Sequence, residues 1–243
     1  MVRKGPAIGV LAQLALLVVL AALLGLSAAS WLVGVSYGLG MNAVLAAGLR
    51  RSGATRLGLP NCVTLTRAIL AGGVAALVAD SYGHSTHVIA LVPLAALALA
   101  LDAVDGWVAR RTATASLLGA RFDMEIDAFL ILVLSIAVAP ALGPWVLTIG
   151  LARYAFVAAG WLFTWLQAAS PPRPWCKVVA ALQGIVLTVC AADVLPTAAE
   201  LALTAVALAL LGESFGRQTW WLWRAHRALR SAPSRVTLLI PAR

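Results

Sequence analysis

Eight apolar runs, each about 20 residues long, recur along this chain and decide what it can become. They cover about 7–26, 31–49, 62–79, 88–108, 117–139, 145–168, 176–195 and 197–216. Hydrocarbon offers no water to satisfy backbone amides, so a spanning segment must close its own hydrogen bonds. Runs of this length do so as α-helices. Composition agrees: 62% of the residues are hydrophobic and 11% are charged, against roughly 45–50% and ~25% in soluble domains. The expected fold class is an all-α integral membrane protein.

The basic residues give that bundle a direction. Arg3 and Lys4 precede the first run, and Arg50, Arg51 and Arg56 follow the second. Arg110 and Arg111 end the fourth. Arg173 and Lys177 lie between the sixth and seventh, and further arginines fill the stretch from Arg217 to Arg243. The alternate loops, SAAS, DSYGHSTH, PALGP and AADVLPTAAE, contain no Lys or Arg. Positive charge stays inside, so both termini are expected to face the cytoplasm, in a bacterial-type cell membrane. Cys62, Cys176 and Cys190 are scattered and lack disulfide or zinc spacing, so they read as small packing residues. Arg3, Lys4, an apolar run and Ser27-Ala28-Ala29 also resemble a signal peptide. Against that, the run exceeds the usual ~7–15 residues and a second run follows at once.

Three parts are expected. Residues 1–50 form a transmembrane hairpin with no acidic residue, suited to packing, anchoring or oligomer contact. Its Gly34, Gly38 and Gly40 permit close helix approach. Residues 51–219 form a six-helix core, in which Pro60-Asn61 reads as a helix start. Residues 220–243 are a basic tail, with Trp220, Trp221 and Trp223 suited to the membrane interface and Arg224, Arg227 and Arg230 to anionic lipid headgroups. No nucleic-acid partner is expected.

Against this apolar background the carboxylates stand out. The chain has nine Asp and Glu residues, and five of them, Asp102, Asp105, Asp123, Glu125 and Asp127, share one short window. Intramembrane charges usually face a polar interior and mark a site. Asp102 and Asp105 are three apart and share a helix face with Ala109; Asp123 and Asp127 are four apart and share another. The short connection makes the two helices antiparallel neighbours, with their carboxylates aimed at one point. Gly106 leaves room for a ligand beside them. Four carboxylates suit one or two hard divalent cations bound together with phosphate oxygens. The purely structural alternative is a set of interhelical salt bridges using Arg67, Arg110, Arg121 and Arg153.

The full pattern is Asp102-x-x-Asp105-Gly106-x-x-Ala109-Arg110, eight residues, Gly119, three residues, Asp123, three residues, Asp127. It resembles the signature of the CDP-alcohol phosphotransferase family, with every fixed position present, and the likeness extends over roughly residues 55–216. The resemblance implies a six-helix core to which the first two helices are additions. It also implies transfer of a phosphoalcohol group, usually phosphatidyl, from a CDP-alcohol such as CDP-diacylglycerol to a polar alcohol, releasing CMP in phospholipid biosynthesis. Asp102, Asp105, Asp123 and Asp127 would hold Mg²⁺ or Mn²⁺, two ions being expected. Asp127 would also be the general base. Gly106, Ala109 and Gly119 would admit cytidine and diphosphate, and Arg110 would pair with the phosphates. A homodimer in membrane lipid is the expected assembly.

Two weaker patterns accompany it. Pro60-Asn61-x-x-Thr64-x-x-Arg67 is similar to the family's nucleotide-side segment: Asn61 and Thr64 would touch the CDP portion, and Arg67 its phosphates or a nearby Asp. A helix cap with a snorkelling arginine is the plain alternative. Arg173-Pro174-Trp175-Cys176-Lys177, with Gln183 beyond, is similar to the basic start of the fifth core helix. Arg121, Arg153, Arg173 and Lys177 are candidates for binding a phosphorylated acceptor, although positive-inside charge alone also explains Arg173 and Lys177. Met124 and Ala128 stand where glycerol-phosphate and inositol-phosphate members carry other residues, so the acceptor stays open. The competing function is an ion- or proton-coupled transporter built on the same carboxylates. It lacks an internal repeat, and its charges lie near one membrane face. A non-catalytic scaffold with a relic metal site is a third reading.

Overall fold

A computed structural model describes residues 4–52, 59–82, 87–112, 117–168 and 174–231. Along its helices, the side chains of residues 4, 51–52, 59–62, 105–112, 117–118, 121, 174 and 229–231 lie outside the description. The described residues form eight long helices and no strand: α1 Lys4–Leu24, α2 Ala28–Ser52, α3 Leu59–Ser81, α4 Val88–Thr112, α5 Leu117–Leu142, α6 Leu147–Leu162, α7 Pro174–Ala191 and α8 Thr197–Ser231. Among them, α1, α2, α3, α5, α6 (with the turn before it) and α8 are long and apolar enough to cross a membrane, while α4 and α7 carry shorter apolar stretches, Val88–Val104 and Trp175–Ala191.

Two span ends differ most from the hydropathy reading. The sixth run was expected to reach 168, but α6 stops at Leu162 and a 3-10 turn covers Thr164–Gln167. The eighth was expected to end at 216, but α8 continues unbroken to Ser231. Polar residues ended the apolar window there without ending the helix. Trp and Arg are helix-compatible, and no Pro or cap interrupts them. Within this extension Arg224 lies over the Trp220 ring at 5.5 Å and Arg227 over Trp223 at 4.0 Å, so the two residue types pair along the helix.

Helix α3 is the hub, packing against α1, α2, α4 and α5. The sequence explains this. Ala71 to Val78 reads AGGVAALV, and every residue in it is buried; small side chains let neighbouring backbones approach, which is how membrane helices gain contact without a hydrophobic driving force. A methyl group at Gly72 would come within 2.7 Å of the Gln13 amide and of Tyr37 Cδ1, so glycine there admits side chains from both hairpin helices. Within the hairpin, Gly34 faces Leu17 and Gly38 faces Gln13 in the same close manner, whereas Gly40 meets nothing.

One end of the hairpin is fastened to α3. Asp80, 1% exposed, accepts hydrogen bonds from the Ser27 backbone N–H and the Ser30 hydroxyl, each 2.9 Å, and its other oxygen lies 2.9 Å from His87 Nε2. Three groups from two separate segments thus satisfy one buried carboxylate, as a buried charge requires.

Candidate active site

The site is built where α3, α4 and α5 meet. Arg67 lies two turns into α3, and its side chain has no solvent exposure. Its Nε–H donates to the Ala98 carbonyl of α4 at 3.1 Å, and Nη1 lies 3.0 Å from Asp102 Oδ1. Nη1 also donates to Asp123 Oδ1 and Nη2 to Asp127 Oδ1, both on α5. One planar fork therefore joins three carboxylates on two helices, a use of fixed donor geometry for which lysine has no equivalent.

The helical spacing accounts for the convergence. Asp123 and Asp127 are one turn apart and project from one face of α5, while Asp102 comes from the facing side of α4. One oxygen from each of the three lies within 4.8 Å of the others. The carboxylates are 35%, 32% and 30% exposed for Asp102, Asp123 and Asp127, whereas Arg67 is sealed beneath them. The site is thus closed on the protein side by a cation and open on the other. Among the described residues, three carboxylates face one guanidinium. Hard oxygen donors at this close spacing fit a divalent cation of the Mg²⁺ class.

The remaining sequence candidates fall in several places. Thr64, 4% exposed, lies one turn before Arg67 on α3. Gly119 is half-buried near the start of α5. Asn61 is carried on α3, Asp105, Gly106, Ala109 and Arg110 on the last turns of α4, and Arg121 on α5; their side chains lie outside the described residues, as does Arg173 altogether. Lys177 is exposed on α7. Arg153, on α6, does not reach the carboxylate cluster in the described contacts; it pairs with Glu125, which leaves α5 on a different side from Asp123 and Asp127.

Two residues that tie the helices together escaped the sequence reading. Tyr37 of α2 stacks on Phe129 of α5 with ring centroids 4.2 Å apart. Nothing in the pattern of α2 distinguishes this tyrosine; the available signal was the glycine pair on α3 that makes room. Asp80 was missed too, and its signal was plainer: a lone acid at the end of an apolar run.

A family model for CDP-alcohol phosphatidyltransferase matches residues 57–214, more than half of the chain and the whole of this three-helix meeting point. Comparison with curated proteins and comparison with solved structures each found no match.

Proposed function

The chain belongs to the CDP-alcohol phosphatidyltransferase family, membrane transferases of lipid biosynthesis that join a CDP-alcohol donor to an alcohol acceptor, and on that premise we propose that it moves a phosphatidyl group from a CDP-diacylglycerol-like lipid to a polar alcohol, with release of CMP. The observation that carries the reading is the convergence of Asp102, Asp123 and Asp127 over a buried Arg67. Such a site offers charge placement and little else, and phosphoryl-type transfer asks mainly for positioning and charge neutralisation.

In this reading Asp102, Asp105, Asp123 and Asp127 hold Mg²⁺ or Mn²⁺, as one ion or two. When bound, the cation neutralises the donor's diphosphate and favours CMP as leaving group. Asn61, Thr64, Gly106, Ala109, Arg110 and Gly119 hold the cytidine and diphosphate. Asp127 receives the acceptor's hydroxyl proton; the acceptor oxygen then bonds to the phosphorus that carries the lipid, and the bridging P–O bond breaks with its electron pair leaving on CMP. Arg67 fixes the orientation of Asp127 and lowers the cost of massing acids in a low-dielectric setting. Arg121, Arg173 and Lys177 are candidates for the acceptor side. The positive-inside pattern supports a cytoplasm-facing site.

Purified protein with Mg²⁺ or Mn²⁺, CDP-diacylglycerol and a panel of polar alcohols is expected to release CMP, and Asp127→Asn is expected to abolish release while the protein stays folded. No release with any alcohol, or full activity in Asp127→Asn, would overturn the proposal. The alcohol that elicits release identifies the acceptor.

A further inference from the structure

The hairpin α1–α2 precedes the family-matched segment, which begins at residue 57, yet it is tied into the site's framework at two depths. At one end Ser27 and Ser30 bind Asp80 of α3. Deeper, the Tyr37 ring packs against both α3 and α5. Its Cδ1 lies 2.7 Å from where a Gly72 methyl group would be, and its face stacks on Phe129 at 4.2 Å with an interplanar angle of 18°. The two helices that it touches are those that carry Arg67 and the Asp123–Asp127 pair. Phe129 is two residues past Asp127 and Gly72 five past Arg67, so both contacts lie within about 8 Å along the helix axes of the ion pairs.

We propose that the hairpin is a working part of the catalytic site, and that Tyr37 is a positioning residue: its ring is the spacer that sets the separation of α3 and α5 at which Arg67 meets Asp123 and Asp127. The inference rests on the transfer reaction proposed above for its kinetic consequence, but its structural claim stands separately. The ring, not the hydroxyl, carries the role. The Tyr37 hydroxyl is buried and has no hydrogen-bond partner among the described residues, an arrangement that costs stability. Close packing makes a ring-sized spacer matter, because cores are dense and do not deform smoothly when a large side chain is removed.

The test compares wild type with Tyr37→Phe, Tyr37→Leu and Ser30→Ala, using two readouts. The first is CMP release as a function of Mg²⁺ concentration; the second is hydrogen exchange of the α5 amides around Asp123–Asp127 in the absence of substrate. Tyr37→Phe is expected to match wild type in both. Tyr37→Leu is expected to lose about tenfold or more in turnover, to require about tenfold more Mg²⁺ for half-maximal activity, and to exchange faster along that part of α5. Ser30→Ala, which loosens the hairpin at its far end, is expected to keep the wild-type Mg²⁺ requirement and α5 exchange. A general loss of folded protein would lower amplitude without moving the Mg²⁺ requirement. Unchanged Mg²⁺ requirement and exchange in Tyr37→Leu overturns the proposal, and so does a Tyr37→Phe variant as impaired as Tyr37→Leu, which would assign the role to the hydroxyl. If wild type releases no CMP, the reaction reading fails, and hydrogen exchange alone still decides whether Tyr37 spaces the helices.

Discussion

Arg67 Nη2, on a side chain with no solvent exposure, donates to Oδ1 of Asp127 on the neighbouring helix. The residue proposed as general base is therefore anchored from beneath by an internal cation. Arg67→Ala would leave Asp102, Asp123 and Asp127 facing one another without it. Breaking a buried ion pair from one side costs about 3–5 kcal/mol, and a loss of that order is expected in thermal or denaturant unfolding in detergent. Added Mg²⁺ should restore part of it, because a divalent ion supplies the missing charge.

Metal binding should be visible without turnover. Ligand that binds only the folded state stabilises by about 2.7 kcal/mol at a hundredfold excess over Kd. Unfolding followed with and without Mg²⁺ is expected to show a gain of that order in wild type, reversed by chelator. The gain should shrink sharply in Asp102→Asn and Asp123→Asn at the same ion concentration.

At the other end of α3, Asp80→Ala takes the carboxylate acceptor from the half-buried Ser27 amide and from the buried Ser30 hydroxyl, which keeps Ser27 Oγ as a partner at 3.0 Å. The unsatisfied amide costs about 1–3 kcal/mol, so the unfolding midpoint should fall. CMP release per folded molecule should remain at the wild-type level, since the change lies about 20 Å along α3 from Arg67.

Gly150 tests the packing of α5 on α6. A methyl group there would sit 2.6 Å from Leu132 Cα, a backbone atom that cannot swing aside. Gly150→Ala is expected to cost about 1–3 kcal/mol through overpacking, again read by unfolding.

Orientation is checked by labelling. Tyr82 and Asp193 are exposed at the helix ends away from the carboxylate cluster. Tyr82→Cys and Asp193→Cys should react with a membrane-impermeant thiol reagent added to intact cells. Reaction only after the cells are broken would reverse the proposed topology.

Much of the bundle was legible because hydrocarbon enforces a simple rule: about 20 apolar residues per span. The same rule misplaced the end of α8, since hydropathy registers where lipid ends and is silent on where hydrogen bonding ends. The carboxylate site was legible through spacing, which put Asp123 and Asp127 on one face and Asp102 opposite. The sequence left Arg67 a choice between phosphates and a nearby Asp; the structure brings it to three aspartates, a result that depends on how α3 sits against α4 and α5. Tyr37 was invisible for a related reason. A tyrosine among glycines and leucines has no periodic signature, and its place against α3 and α5 depends on Gly72, on another helix. Long-range fit of this kind is written in pairs of residues, whereas periodicity is read one helix at a time.

The buried Arg67 also bears on how the chain is made. Ribosomal order delivers α3 before α4 and α4 before α5, so this guanidinium meets the bilayer ahead of every aspartate that it binds. An arginine costs about 2.5–3.5 kcal/mol to insert at a helix centre and less toward a helix end, where Arg67 lies, and Asp102, on the very next helix, is its earliest available relief. Helices α3 and α4 thus form an electrically balanced insertion unit, and Asp123 and Asp127 enter the membrane with α5. The cation proposed for the finished site would be needed only from that moment, which would make metal loading a late event in the protein's biogenesis.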